Sequence, residues 1–207
     1  MGKNIIYIHP FLFPSTKANT VQVIKMCSAF KQIGNEPTLV SLKQFKSTKD
    51  DIMKFYGVKN NINTHFFLPL NIFSRNLSKY IIIVVIILKY FLSRKKYIIY
   101  SRDIKIVKFF LKFDFKVLLE LHSIPKNIND LKILKKILKK ENFLKLIFIS
   151  KELDKYFKKK LNLKKTVVSP DGIEVIKHAK KKILFKNKEV FISYVGSFHK
   201  GKGVDFL

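Results

Sequence analysis

Asn4-Ile5-Ile6-Tyr7-Ile8-His9 opens the chain as a short apolar run, and Thr38-Leu39-Val40-Ser41-Leu42 repeats that character further along. Between them Val21, Ile24, Cys27 or Ser28 and Ala29 recur near helical spacing over residues 20–33, and Gly34 follows as a stop, because glycine enters the left-handed region that ends helices. Strand, helix and strand in so short a stretch make a βαβ unit. Its strands are expected to be parallel and its crossover right-handed.

The alternation continues outward from that unit. Helical patterns cover residues 50–56, 77–92, 104–111, 130–140 and 151–159, and strand-like runs cover 64–68, 97–100, 116–121, 144–149 and 166–168. Val117-Leu118-Leu119 and Leu146-Ile147-Phe148-Ile149 are continuously apolar, as parallel strands covered on both faces must be. The predicted fold class is therefore α/β, a doubly wound Rossmann-like parallel sheet over residues 1–172. Residues 173–188, with Lys177, His178, Lys180, Lys181 and Lys182, read as an interdomain linker. Residues 189–207 read as the truncated start of a second Rossmann-like domain.

Composition limits the function classes. With 207 residues, 47% of them hydrophobic, the chain can bury a core and is not a disordered polymer. Its net charge of +28 points to an anionic partner, nucleic acid or an acidic membrane surface. Arginine occurs only at 75, 94 and 102, however, so the excess is lysine, and it accompanies abundant Ile, Asn and Phe and only three alanines. An AT-rich coding sequence produces that bias whatever the function. Bidentate base and phosphate recognition favours arginine, which ranks nucleic acid below an anionic membrane as a partner.

Cys27 is the single cysteine, which rules out an intrachain disulfide and any Cys-based zinc site and suits a reducing, cytoplasmic setting. The apolar run at the N-terminus is too short for a signal sequence and reads as a first strand. Tyr80-Ile81-Ile82-Ile83-Val84-Val85-Ile86-Ile87-Leu88, interrupted by Lys89, falls short of the roughly 20 apolar residues a membrane span needs. It reads as a core helix, or as one lying on an anionic inner membrane face pinned by Arg75, Lys79, Arg94, Lys95 and Lys96.

In open parallel sheets, ligands gather beyond the carboxyl ends of the strands. After the first strand, residues 9–20 form a glycine-free loop in which Thr16 and Asn19 are cleft candidates, with Asn19 or Thr20 expected to cap the next helix. After the strand at 97–100 comes Arg102, placed to clamp a phosphate or sugar hydroxyl, or to meet Asp103. The strand at 116–121 runs into His122, two residues beyond Glu120 and so on its face. Asp171 sits in a Pro-Asp-Gly turn, either facing the cleft or turning the chain towards the next domain. Phosphate-loop, zinc-protease and nucleophile-elbow motifs are absent, and the five dispersed histidines predict no metal site.

Tyr194-Val195-Gly196-Ser197-Phe198-His199-Lys200-Gly201-Lys202-Gly203-Val204-Asp205 places glycines and a lysine where a strand turns into a helix, a geometry suited to an anion. The pattern Tyr-Val-Gly, five residues, Lys-Gly-Val-Asp resembles the opening of the donor-binding domain of family 4 glycosyltransferases, which pair two Rossmann-like domains in the GT-B architecture. The resemblance extends diffusely over residues 4–172. It implies a sugar transferred from a nucleotide-diphosphate sugar to a glycan or lipid-linked, cell-envelope acceptor, with no metal or cofactor required. It places His122 at the cleft near the transferred sugar, as the catalytic candidate. It directs Gly196 and Lys202 at the donor diphosphate, while Ser197 stands where the family carries an arginine. The family's acidic pair for the nucleotide ribose has no counterpart in this chain, so the chain alone is expected not to complete turnover. The alternative expectation is a non-catalytic basic α/β module that binds an anionic membrane or a partner chain.

Overall fold

The structure, a computed structural model, describes residues 2–59, 62–69, 75–91, 96–113, 115–125, 127–161, 163, 165–172, 194 and 196. In chain order the elements are β1 (Asn4–Phe13), α1 (Ala18–Gln32), β2 (Glu36–Lys43), α2 (Lys49–Phe55), β3 (Asn63–Phe67), α3 (Arg75–Phe91) and β4 (Tyr97–Ser101). There follow α4 (Ile104–Phe110) with a 3-10 turn at Leu111–Phe113, β5 (Lys116–Leu121), α5 (Ile128–Ile137), β6 (Phe143–Phe148), α6 (Lys151–Leu161) and β7 (Thr166–Val168). The seven strands form one sheet in the order β3-β2-β1-β4-β5-β6-β7, and every pairing is parallel. This is the doubly wound α/β fold. The chain leaves β1 towards β3 on one side and resumes with β4 on the other, so β1 and β4 flank the topological switch point.

Two apolar layers explain the stability of the sheet. On one face Ile24 of α1 and Ile52 of α2 pack with Tyr7, Leu39 and Tyr100. On the other face Ile83 of α3, Val107 of α4, Leu134 of α5 and Phe157 of α6 pack with Ile8, Val40, Ile99 and Phe148. Strand residues alternate between the two layers, which is why the strands are apolar without interruption.

The helix ends show local chemistry at work. Gly34 has φ of 81°, and its N–H reaches Lys31 O at 3.1 Å while Asn35 N reaches Phe30 O at 3.0 Å, closing the last turn of α1 as a Schellman motif. Gly57, φ 60°, ends α2 in the same way, through Lys54 O at 3.1 Å and Val58 N to Met53 O at 3.0 Å. Thr48 and Asp51 form a capping box at the start of α2.

Two expectations about the first loop are corrected. β1 does not stop at His9 but runs to Phe13, because the chain bulges between His9 and Leu12 and then rejoins β2. The Ser41 hydroxyl satisfies the bulge, lying 2.5 Å from His9 O and 2.7 Å from Phe11 O. Neither Asn19 nor Thr20 caps α1. The helix begins earlier, at an N-cap Lys17 without a side-chain bond, and Thr20 instead turns its hydroxyl back onto Lys17 O at 2.7 Å.

The chain divides into two compact units, Met1–Asp171 and Gly172–Leu207. In the second, only Gly172, Tyr194 and Gly196 are among the described residues; a Cβ added to Gly196 would meet the Tyr194 hydroxyl at 2.8 Å. The linker expected at 173–188 and, apart from Tyr194 and Gly196, the domain start expected at 189–207, Ser197 and Lys202 included, lie outside the described residues. Among the described residues, no helix is long and apolar enough to cross a membrane.

Candidate functional site

Three neighbouring strands each deliver two side chains, two residues apart and therefore on one face, to the switch point. β1 supplies Tyr7 and His9, β4 and the turn after it supply Tyr100 and Arg102, and β5 and the turn after it supply Glu120 and His122. Tyr7 and Tyr100 are paired in the sheet and stack with ring centroids 4.6 Å apart. They form the floor.

Glu120 is the hub of this group and is only 2% exposed. Its Oε2 accepts the Tyr100 hydroxyl at 2.5 Å and faces the Tyr7 hydroxyl at a longer 3.5 Å. Its Oε1 is bonded by His122 Nε2 and lies 2.8 Å from Nη2 of Arg102, an ion pair without hydrogen-bond alignment. Burial is the largest influence on this carboxyl and pushes its pKa up, but the His122 hydrogen bond, the Arg102 charge and the Tyr100 hydroxyl outweigh it and hold it below the ordinary value. Glu120 is therefore an ionised, buried acceptor. Burial, reinforced by that carboxylate, pushes both tyrosines well up and keeps them as phenol donors.

The ionised carboxylate can only accept, so Nε2 of His122 is the donor in their bond, and in the neutral ring this leaves Nδ1 as an acceptor. Arg102 is thus occupied by Glu120 rather than by Asp103. The Asp103 carboxylate caps α4 instead, accepting from Lys105 N at 2.8 Å and Ile106 N at 3.3 Å.

A cavity of about 540 Å³ opens over these groups, walled in part by His9, Asn19, Arg102, Glu120, His122 and Asp130. Five buried polar atoms on its lining residues make no hydrogen bond to any described residue: His9 Nε2, Asn19 Oδ1, Arg102 Nε and Nη2, and Asp130 Oδ1. Leaving a buried donor or acceptor unpaired costs about 1–3 kcal/mol each, so the cavity favours an occupant rich in both donors and acceptors. The His9 pKa is lowered to about 3, by burial first and then by the Arg102 charge, so its ring stays neutral at physiological pH.

Four of the residues singled out in the sequence come together here. His122, Arg102 and Asn19 line the cavity, and the Asp171 carboxylate receives the Gln22 amide while offering an oxygen within 4.8 Å of ligand atoms of Glu120 and His122. Thr16 is exposed and is not part of the lining. The Glu120, His122 and Asp171 trio has the spacing of a metal site, but a cation there would compete with Arg102, already 2.8 Å from the same carboxylate. Tyr7, His9 and Tyr100 were not distinguished as site residues by the sequence, because aromatic residues inside apolar strands read as core. The one available signal was hydroxyl-bearing and carboxylate side chains recurring in strands that otherwise hold aliphatic residues.

A seven-stranded parallel sheet with a polar cavity at its switch point defines a Rossmann-like domain. Its fold is similar to that of a glycosyltransferase from Rickettsia africae, with a TM-score of 0.53 and 17% identity, over 83% of this chain and 44% of that protein. The chain thus spans less than half the length of the protein it matches. No protein-family model and no curated protein matches the sequence.

Proposed function

We propose that this chain is the acceptor-side part of a glycosyltransferase of the family 4 type, which moves a sugar from a nucleotide-diphosphate sugar to a glycan or lipid-linked acceptor. The observation that carries this reading is the set of unpaired buried polar atoms around His122, beside a structural likeness to a glycosyltransferase. A sugar offers donors and acceptors on every face. The neutral His9 and Asn19 suit hydroxyl groups, while the partly paired guanidinium of Arg102 keeps Nε available for a hydroxyl or phosphate oxygen.

In this reading His122, held by the buried Glu120, presents Nδ1 to a hydroxyl of the bound sugar. Glu120, almost wholly buried, positions the ring. Gly196 and Lys202 would serve the donor diphosphate with Ser197 beside them, a role that rests on their sequence pattern.

The five histidines provide a direct test, since their imidazole signals can be followed individually by NMR. Titration with uridine- and guanosine-diphosphate sugars and with short oligosaccharides should shift His9 and His122 while leaving His65, which lies with Tyr90 on the edge strand β3 in a separate pocket, unmoved. Absence of any shift at His9 and His122 at millimolar ligand, or an equal shift at His65, would refute the proposal.

A further inference from the structure

Over residues 80–88 helix α3 is apolar on both of its faces. Ile82, Ile83, Ile86 and Tyr90 are buried against the sheet, whereas Tyr80, Ile81, Val84, Val85 and Leu88 point outward, from 37% exposed at Val85 to 65% at Leu88. The outward face of a helix on a globular domain is ordinarily polar. The apolar strip continues onto the next helix, because Tyr80 meets Phe109 of α4 with ring centroids 6.4 Å apart, and Phe109 meets Phe113, itself 38% exposed, at 5.2 Å. Exposed lysines at 105, 108 and 112 border it.

Chemistry narrows the occupant of this strip. A second copy of the chain would bring a like charge of +28 against lysines 105, 108 and 112, so self-association opposes the electrostatics. Among the described residues no helix is long and apolar enough to cross a membrane, and the 17 residues of α3 include Lys89. An acidic lipid surface satisfies both halves of the patch: aliphatic side chains dip into the acyl boundary, and lysines meet anionic headgroups. We propose that the α3–α4 face is a membrane-docking surface for an anionic bilayer, with α3 lying in the interface plane. The proposal stands apart from the sugar site, which lies at the strand ends.

The chain contains no tryptophan, so one introduced at a chosen position reports on that position alone. Leu88→Trp should shift its emission to the blue with vesicles of phosphatidylcholine and phosphatidylglycerol but not with phosphatidylcholine alone. Ile33→Trp, at an exposed position after α1 on the opposite face of the sheet, should not respond. In vesicle sedimentation the pair Val84→Asp and Leu88→Asp should lower partitioning at least about tenfold, from lost apolar burial. Each of Lys105→Glu and Lys108→Glu should lower it about fivefold or more. Circular dichroism and melting temperature confirm that each variant is folded, and Leu88→Ser replaces the aspartate pair should it fail that check. Three results would overturn the proposal: tryptophan shifts at both positions or at neither; binding that salt abolishes and the aspartates leave unchanged; or a concentration-dependent dimer that the aspartates dissolve.

Discussion

Glu120→Gln removes one charge from the centre of the site while keeping side-chain volume, and its NH2 also replaces one of the two oxygens that accept from Tyr100 and His122. It leaves the Arg102 guanidinium, 12% exposed, without the carboxylate that lies 2.8 Å away. Stranding one member of a buried ion pair typically costs about 3–5 kcal/mol. That is a large share of the roughly 5–15 kcal/mol by which domains of this size are stable. Arg102→Met should cost less, because the carboxylate keeps its bonds from Tyr100 and His122. The double variant contains no stranded charge and should be more stable than Glu120→Gln alone, with a coupling of at least about 2 kcal/mol. Urea titration followed by circular dichroism measures all four corners of this cycle. The pH dependence supplies an independent check. Because folding lowers the Glu120 pKa, its contribution is fully present above the unfolded value of about 4.3 and is lost as the pH falls through the lower folded value. The gap between the parent and Glu120→Gln should therefore close in acid. A Glu120→Gln variant within about 1 kcal/mol of the parent, or a cycle with no coupling, would refute the view that this ion pair organises the site.

Two further outcomes are expected. The buried His9 resists protonation, so it should cost the parent stability as the pH falls from about 6.5 towards about 3, by at most roughly 1.4 kcal/mol per unit; His65, whose pKa is also lowered, adds a slope of the same sign, so His9→Phe should reduce the slope in thermal melts recorded from pH 7 to 4, and an unchanged slope would count against the shift. Gly34→Ala should cost about 1–2 kcal/mol through backbone handedness alone, since nothing lies within 4 Å of the added Cβ; Gly34→Asn should cost less, and equal losses in urea titration would point to another cause.

Much of the fold was legible because covered parallel strands must be apolar and helices must be periodic. The strands at 116–121 and 166–168 have the bounds the sequence predicts. The end of β1 was not legible, since nothing in Phe11-Leu12-Phe13 distinguishes a strand resumed after a bulge from an apolar loop. The start of α1 was misread for a related reason: Asn19 and Thr20 have the chemistry of caps but fall inside the first turn. At the site, the carboxyl-end rule drew attention to Arg102 and His122, which the structure sets around Glu120. It could not single out Tyr7, His9 and Tyr100, because their polar atoms acquire meaning only when β1 and β4 lie side by side. Thr16 has the right chemistry in the right loop and yet points to solvent.

The contact between Tyr7 and Glu120 joins residues 113 positions apart. The floor of the site therefore cannot exist in any local piece of folded chain: it waits until β4 has entered between β1 and β5. Ordering so distant a pair makes the site a late product of folding, and pulse-labelled hydrogen exchange should find Tyr7 and Glu120 protected together. It also ties function to alignment. A one-residue slip of β4 would turn Tyr100 and Arg102 to the opposite layer, so a misaligned sheet loses its chemistry and its packing in the same step.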